Sequence, residues 1–228
     1  GALSLFAFRA VRLKAGGLFA PISREGALVY NNLILTTAAA TVLTGTLYPL
    51  ALEALTGSKI SVGPPFFNIT FGLLMLPLLV AVPFGPLLAW KRGDLLGAGQ
   101  RLFAAIGVGL VVALGVFYAR YGGPVMAAAG IGLGIYMIAG SLTDLVLRSG
   151  LGKLPLATAW ARLKGLPRSS FGTALAHAGL GVTLIGIVTV TAYATETIVE
   201  MKPGMTAEAG GYTLRFDGMR EGQGPNYT

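Results

Sequence analysis

The chain has 228 residues, 54% hydrophobic and only 11% charged, with a formal net charge of +8 and no cysteine. A soluble domain carries about 25% charged residues, so an ordinary water-soluble fold is excluded, and without cysteine so are disulfides, iron–sulfur clusters and thiol chemistry by this segment. One histidine and few carboxylates are too small a ligand set for a classical zinc site, and the lysines and arginines sit in short clusters between apolar runs, the pattern of membrane topology rather than of nucleic-acid binding.

Residues 1–8, GALSLFAF, read as the end of an apolar span, a stub in front of the basic segment that holds Arg9, Arg12, Lys14 and Arg24. The first residue is Gly, no basic signal-peptide region precedes it, and the far end stops at GPNYT, so the chain is expected to be an excerpt of a longer protein. The first complete helix is expected at about 27–50, with Pro49 and Gly57 marking its end. A second, at about 66–90, contains Pro77, Pro83 and Pro86. It is expected to be kinked, since neighbouring helices in a membrane can satisfy the carbonyls that proline frees. Lys91, Arg92 and Arg101 separate it from a third helix at about 102–119, and a turn at 120–124 leads to a fourth at about 125–146. A basic connector with Arg148, Lys153, Arg162, Lys164 and Arg168 precedes a fifth at about 171–193.

Charge-free runs of 18 residues or more are the mark of transmembrane helices. They lie between Glu25 and Glu53, from Ile60 to Trp90, and at 102–119, 121–143 and 169–195. The expected fold is therefore an all-α polytopic membrane bundle, about five complete transmembrane helices plus a stub. The basic clusters fall in alternate loops, 9–24, 91–101 and 148–168, while the other short loops hold only Lys59 and Arg120. This asymmetry places the three basic loops in the cytoplasm and the tail from Ala194 outside. Residues 1–193 form the helical domain on this reading. From 194 to 228 the pattern changes: TETIVEM and YTLRFDGM alternate polar and apolar residues around the turn KPGM. Period-two patterning about Pro-Gly indicates a hairpin, the start of a small β-rich domain outside the membrane. Within the connector, Leu156, Trp160 and Leu163 share one helical face, with basic residues available on the other. That suits an amphipathic helix lying on an anionic inner leaflet; the alternative is a plain basic loop.

His177, in TALAHAGLGVTLIGI, is the principal candidate for chemistry. An ionisable group inside a membrane is costly, and by default marks a functional site. Its imidazole can ligate haem iron or another metal, or relay protons and hydrogen-bond a neighbouring helix. Ala174, Ala178 and Gly181 lie three or four residues away, on the same face. Small residues there permit either close helix packing or a flat, bulky ligand. Asn31 and Asn32, in SREGALVYNN, need partners at membrane depth, either a neighbouring helix or polar groups of a cofactor. Gly63, Pro64 and Pro65 open the second helix, with Phe66 and Phe67 following as a turn or a docking surface. The glycines of GIGLGIYMIAG (130–140) follow no strand, so a dinucleotide site fails its context test and helix packing explains them better. No catalytic triad, carboxylate pair or phosphate loop appears, and no residue is assigned a catalytic role.

Several segments together resemble one family. SREGALVYNN (23–32), TGTLYPLALEALTGSKISVGPPFFN (44–68), LMLPLL (74–79), AHAGLGVTLIGI (176–187), MKPG (201–204), GYTLRF (211–216) and GPNY (224–227) occur in the order seen in the CcmF/NrfE family of cytochrome c haem lyases. The resemblance spans nearly the whole chain. It implies a multi-pass protein of the bacterial inner membrane, acting in cytochrome c maturation with a periplasmic haem chaperone, apocytochrome c and other maturation proteins of the membrane. Such a lyase joins the vinyl groups of transiently held substrate haem to the thiols of a C-x-x-C-H motif. The resemblance further implies a resident haem b between two membrane histidines, with His177 as one axial ligand and the other outside this sequence. Asn31, Asn32, Ala174, Ala178 and Gly181 would support it. The tryptophan-rich segment and the two outward-facing histidines that hold incoming haem in the family have no counterpart here, since the tryptophans are Trp90 and Trp160; this segment alone therefore lacks the haem-presenting region. A proton-coupled or haem-exporting transporter is the rival reading, and a purely structural subunit a third.

Overall fold

The structure is a computed structural model and describes every residue except 11, 13–16, 121, 122, 195, 221 and 223–228. Lys14, part of the turn at 120–124, and the GPNY segment thus lie outside the described residues. The elements, in order, are α1 (Ala2–Ala10), α2 (Arg24–Thr56), α3 (Pro64–Ala81), a 3-10 segment (Val82–Leu87), α4 (Leu95–Ala119), α5 (Val125–Ser149), α6 (Leu156–Lys164), α7 (Arg168–Tyr193), and the strands β1 (Thr206–Ala209) and β2 (Tyr212–Arg215). Five of the helical segments, Arg24–Thr56, Pro64–Leu87, Leu95–Ala119, Val125–Ser149 and Arg168–Tyr193, are long and apolar enough to cross a membrane. Their outer faces carry exposed Leu73 (74%), Phe103 (77%) and Val190 (71%). Apolar surface on that scale suits hydrocarbon, not water, so the chain has the make-up of a multi-pass membrane protein.

Local chemistry explains where each helix starts and stops, and where the ends differ from the sequence-based expectation. Ser23 caps α2, its hydroxyl accepting from the Gly26 amide at 3.0 Å. The helix runs through Pro49 and stops only at Gly57, whose φ of 73° gives the left-handed C-cap. Pro49 therefore lies inside α2 and does not end it. Helix α3 opens on Pro64 and Pro65, where a missing N–H costs nothing. Its α ladder ends at Ala81, because Pro83 and Pro86 cannot donate to the carbonyls of Leu79 and Val82; the chain tightens into the 3-10 segment. Trp90 is thus beyond the helix. The phenolic oxygen of Tyr136 donates to the Val80 carbonyl at 3.0 Å, satisfying backbone at this break. Asp94 accepts from the Gly97 amide at 3.0 Å and starts α4 at Leu95, well before the expected 102. Helix α5 continues to Ser149 and α7 begins at Arg168, directly after Pro167.

Helix α5 is the centre of the bundle. It packs on α4 along one face and on α7 along another, while α2 pairs with α3. Glycines make both contacts close. A Cβ on Gly132 would lie 2.7 Å from the Gly109 carbonyl oxygen of α4, and one on Gly134 would lie 2.8 Å from the Gly181 carbonyl oxygen of α7. Gly140 admits Pro83 of the 3-10 segment. The glycine-rich stretch of α5 is therefore a packing device, as expected for small residues at membrane helix contacts. Leu102, Ala105, Tyr136 and Met137 form the buried core between α4 and α5. Phe66 and Phe67, edge to face at 5.3 Å, seat against α2 at Gly45.

Helix α6 buries Ala159 completely and leaves Leu156 and Trp160 exposed. It packs on the bundle through Ala159 and half-buried Leu163, while Leu156 and Trp160 stay exposed on the face expected to meet the leaflet; 156–164 is helical rather than a plain loop. In the tail, Thr206–Ala209 pairs antiparallel with Tyr212–Arg215. The hairpin turns at Gly210 and Gly211, with φ of 59° and 83°, the two positive values that a type I′ turn requires. The turn of this hairpin is therefore Gly-Gly. The Lys-Pro-Gly-Met segment is a separate turn at its mouth, where Gly204 donates to the Phe216 carbonyl at 2.7 Å, and TETIVEM forms no strand among its described residues.

Candidate functional site

The site is built at the bundle end that carries the basic loops. The segment before α2 and the segment after the 3-10 turn are laced together by backbone: Ala20 donates to the Lys91 carbonyl at 2.7 Å, Arg24 to Ala89 at 3.0 Å, and Gly93 to Ile22 at 2.7 Å. The Ser-Arg-Glu-Gly motif completes the lacing. The Arg24 guanidinium donates to the carbonyls of Pro86 (2.5 Å) and Gly85 (3.4 Å), and lies 5.3 Å from the Trp90 ring centroid. Glu25 accepts from the Lys91 amide at 2.7 Å. Lys91 has a φ of 67°, a conformation a non-glycine residue keeps only when its surroundings hold it there. Gly26 is small because a Cβ there would collide with the Pro21 carbonyl.

This clamp forms one wall of a cavity of about 530 Å³. Helix α2 lines it with Ala27, Leu28, Tyr30 and Asn31, and the end of α3 with Leu78 and Ala81. The break after α3 adds Val82, Gly85, Pro86 and Trp90. Asp144 and Arg148 enter from α5, and Ser169, Ser170, Thr173 and His177 from α7. The helical contributions follow single faces: Arg24, Ala27, Leu28 and Asn31 on α2, and Ser170, Thr173 and His177 on α7. Segments beside all three basic loops meet here, so those loops share one end of the bundle.

His177 is half-buried, and its Nδ1 is enclosed with no hydrogen-bond partner among the described residues. An unmet buried polar group costs about 1–3 kcal/mol; because Nδ1 is enclosed, Nε2 is the nitrogen that a ligand in the cavity could take. No three His, Cys, Asp or Glu side chains converge here among the described residues. A metal at His177 must therefore bring most of its own ligands, as a porphyrin iron does. The apolar wall of Leu28, Leu78, Val82 and Trp90, and the polar rim of Arg24, Arg148, Ser169 and Ser170, fit the apolar plane and anionic edge of haem.

The expected supporting residues separate in the fold. Asn31 lines the cavity with His177. Asn32 is exposed on another face of α2, and its Oδ1 accepts from the Asn31 side chain at 3.3 Å. Ala174 and Gly181 are buried in the contact with α5, not arranged along the cavity; a Cβ on Gly181 would stand 2.6 Å from the Gly134 carbonyl oxygen. Ala178 does not line the cavity either. The small face beside His177 thus packs helix on helix. The sequence reading missed Asp144, which closes a long charge-free run and pairs with Arg148 four residues on; that spacing was the available signal.

Comparison with known proteins agrees with the motifs. Residues 192–228 match the family model described as the CcmF C-terminal beta-sandwich. The chain is 75% identical over 228 residues to the cytochrome c-type biogenesis protein CycK of Rhizobium meliloti. It is 40% identical over 231 aligned residues to CcmF of Pseudomonas aeruginosa, and 32% over 230 to CcmF of Escherichia coli. Each match covers 100% of this chain and 34% of the relative, so the chain spans about a third of the length of the curated relatives it matches. No solved structure matches it. With relatives aligned along its whole length and the family's own model on its tail, the chain is similar throughout to about a third of a CcmF-type cytochrome c-type biogenesis protein.

Proposed function

We propose that this chain is the part of a cytochrome c maturation protein that holds a haem b inside the bacterial inner membrane, with His177 as one axial ligand. The observation that carries the reading is the His177 imidazole lining a cavity with apolar walls and a cationic rim. The relatives, named as cytochrome c-type biogenesis proteins, support the pathway. The second axial ligand comes from outside this sequence. The full-length protein joins substrate haem to the thiols of apocytochrome c, with a periplasmic haem chaperone and other maturation proteins as partners. This chain has no cysteine, so it contributes no thiol to that reaction. The basic loops face the cytoplasm, on the positive-inside bias, and the hairpin faces the periplasm.

When bound, haem b supplies an iron centre able to carry one electron. The residues here do the holding. His177 would bind the iron, Asn31 would offer a polar contact from α2, and Leu78, Val82 and Trp90 would shield the ring from water. The test is His177→Ala in the full-length protein. The expected result is loss of most of the haem b Soret absorbance, with cytochrome c maturation impaired, in protein that inserts and accumulates normally. Unchanged haem content would overturn the assignment, and a colourless wild-type protein with pH-coupled uptake of a solute would favour the transporter.

A further inference from the structure

On α5, Arg148 lies one turn beyond Asp144, and its Nε donates to the Asp144 carboxylate at 2.9 Å. This pair differs from a surface i, i+4 pair in its setting. The Asp144 side chain is only 17% exposed, and both residues line the His177 cavity. The carboxylate takes Nε and so fixes the direction of the guanidinium. The two terminal nitrogens make no hydrogen bond among the described residues, and they form the fork that matches a second carboxylate. Arg24, the other cation of the cavity, has its donors turned to the Gly85 and Pro86 carbonyls. It adds positive charge without offering the same fork. Ser169, Ser170 and Thr173 bring hydroxyls that are likewise unengaged among the described residues. Along α7, Ser170 precedes His177 by seven residues, roughly 10 Å of helix rise. The cavity thus has an imidazole at one level and oriented anion-binding groups at another.

We propose that Arg148, aimed by Asp144 and assisted by the Ser170 and Thr173 hydroxyls, binds the propionate carboxylates of the haem whose iron His177 takes. The inference rests on the reading of His177 as an iron ligand and adds the residues that fix the orientation of the ring. Arg148 is a binding residue and Asp144 a positioning residue. A phospholipid headgroup offers similar anionic oxygens, so the test must separate haem carboxylates from lipid phosphate.

The experiment uses the full-length protein and measures the rate at which haem passes to an excess of apomyoglobin. Arg148→Leu should speed the loss about tenfold, the loss of one charge-assisted hydrogen bond. Arg148→Lys should fall between, because an ammonium keeps the charge and loses the fork. Asp144→Asn should speed the loss less than Arg148→Leu does. Reconstitution with haem dimethyl ester, whose propionates cannot ionise, should make wild type lose haem as fast as Arg148→Leu, and the substitution should then add nothing. Native-haem loss at the wild-type rate from Arg148→Leu overturns the proposal. So does an Arg148 effect that persists with the esterified haem, or one that follows added phosphatidylglycerol equally with both haems. Should Arg148→Leu fail to fold, equal loss rates of native and esterified haem from wild type overturn it too. Normal haem b in His177→Ala would instead remove the reading beneath it.

Discussion

Gly181 on α7 and Gly134 on α5 meet backbone to backbone: a Cβ on Gly181 would stand 2.6 Å from the Gly134 carbonyl oxygen, and one on Gly134 would stand 2.8 Å from that of Gly181. This contact sets the approach of α7 to α5, and with it the height of His177 one turn away. A backbone carbonyl cannot swing aside as a side-chain tip can. Gly181→Ala should therefore destabilise the bundle by about 1–3 kcal/mol, the cost of overpacking. Gly186 lies on the same helix with open space around it, and Gly186→Ala should change stability by less than about 0.5 kcal/mol. Denaturant unfolding of the two purified full-length variants checks the contrast; equal effects would refute it.

Tyr136 holds the break after α3. Its hydroxyl satisfies the Val80 carbonyl at 3.0 Å, and its ring sits in the buried core. Tyr136→Phe keeps the ring and removes only the donor. The expected loss is about 0.6 kcal/mol, the average for hydrogen bonds between membrane helices, and no more than about 1.7 kcal/mol. Equilibrium unfolding gives the number, and a variant as stable as wild type would show that the carbonyl finds another donor.

The Arg24 clamp should control the order of residues 85–93. Arg24→Ala removes two carbonyl contacts and the cation above Trp90. Hydrogen bonds to a charged group contribute about 1.5–3 kcal/mol. Trypsin cleavage after Lys91 or Arg92 should therefore quicken about tenfold or more in the detergent-solubilised protein, if cleavage follows local opening. Arg24→Lys should rescue little of this, because one ammonium cannot reproduce the planar stacked fork. Identical digestion of all three proteins would disprove the clamp.

Asn31 and Asn32 are neighbours in sequence with different surroundings. Asn31 lines the His177 cavity and Asn32 is exposed outside it. Asn31→Ala should accelerate haem loss several-fold, near the value of one net hydrogen bond of about 1 kcal/mol. Asn32→Ala should leave the rate unchanged within twofold or so, since only a 3.3 Å contact to Asn31 is removed. Haem transfer to an apo-acceptor reads both, and the reverse order would contradict the placement of the two amides.

Much of this architecture is written locally. The five spans are visible because charge is absent over lengths that match a bilayer, whereas the Ser23 cap starts α2 at Arg24, ahead of the expected 27. The ends were harder to place. Arg101 reads as loop until the Asp94 cap brings α4 back to Leu95, and Pro49 reads as a terminator although α2 passes through it. Both Pro203-Gly204 and Gly210-Gly211 are turn formers. Only cross-strand pairing selects the second as the hairpin turn. His177 is conspicuous because a lone imidazole in an apolar run is costly. Its neighbours are not, since they come from residues 24–31, 78–90, 144–148 and 167–177, segments that no periodicity links.

The sequence by itself determined that the chain holds five segments long and apolar enough to cross a membrane, where charge gathers, and that a lone histidine stands in one of them. These are properties of each segment against its solvent, and each segment states them alone. The tertiary structure decided what the small residues and charges are for. Ala174 and Gly181, which the sequence allows beside a flat ligand, are buried on the side of α7 that meets α5, while Arg24 is drawn into a clamp and the terminal nitrogens of Arg148 stay unengaged among the described residues. The physical reason is that a helix face has no fixed role until another helix crosses it. Which glycines meet, and which donors remain unspent, follows from the crossing of α5 with α4 and α7.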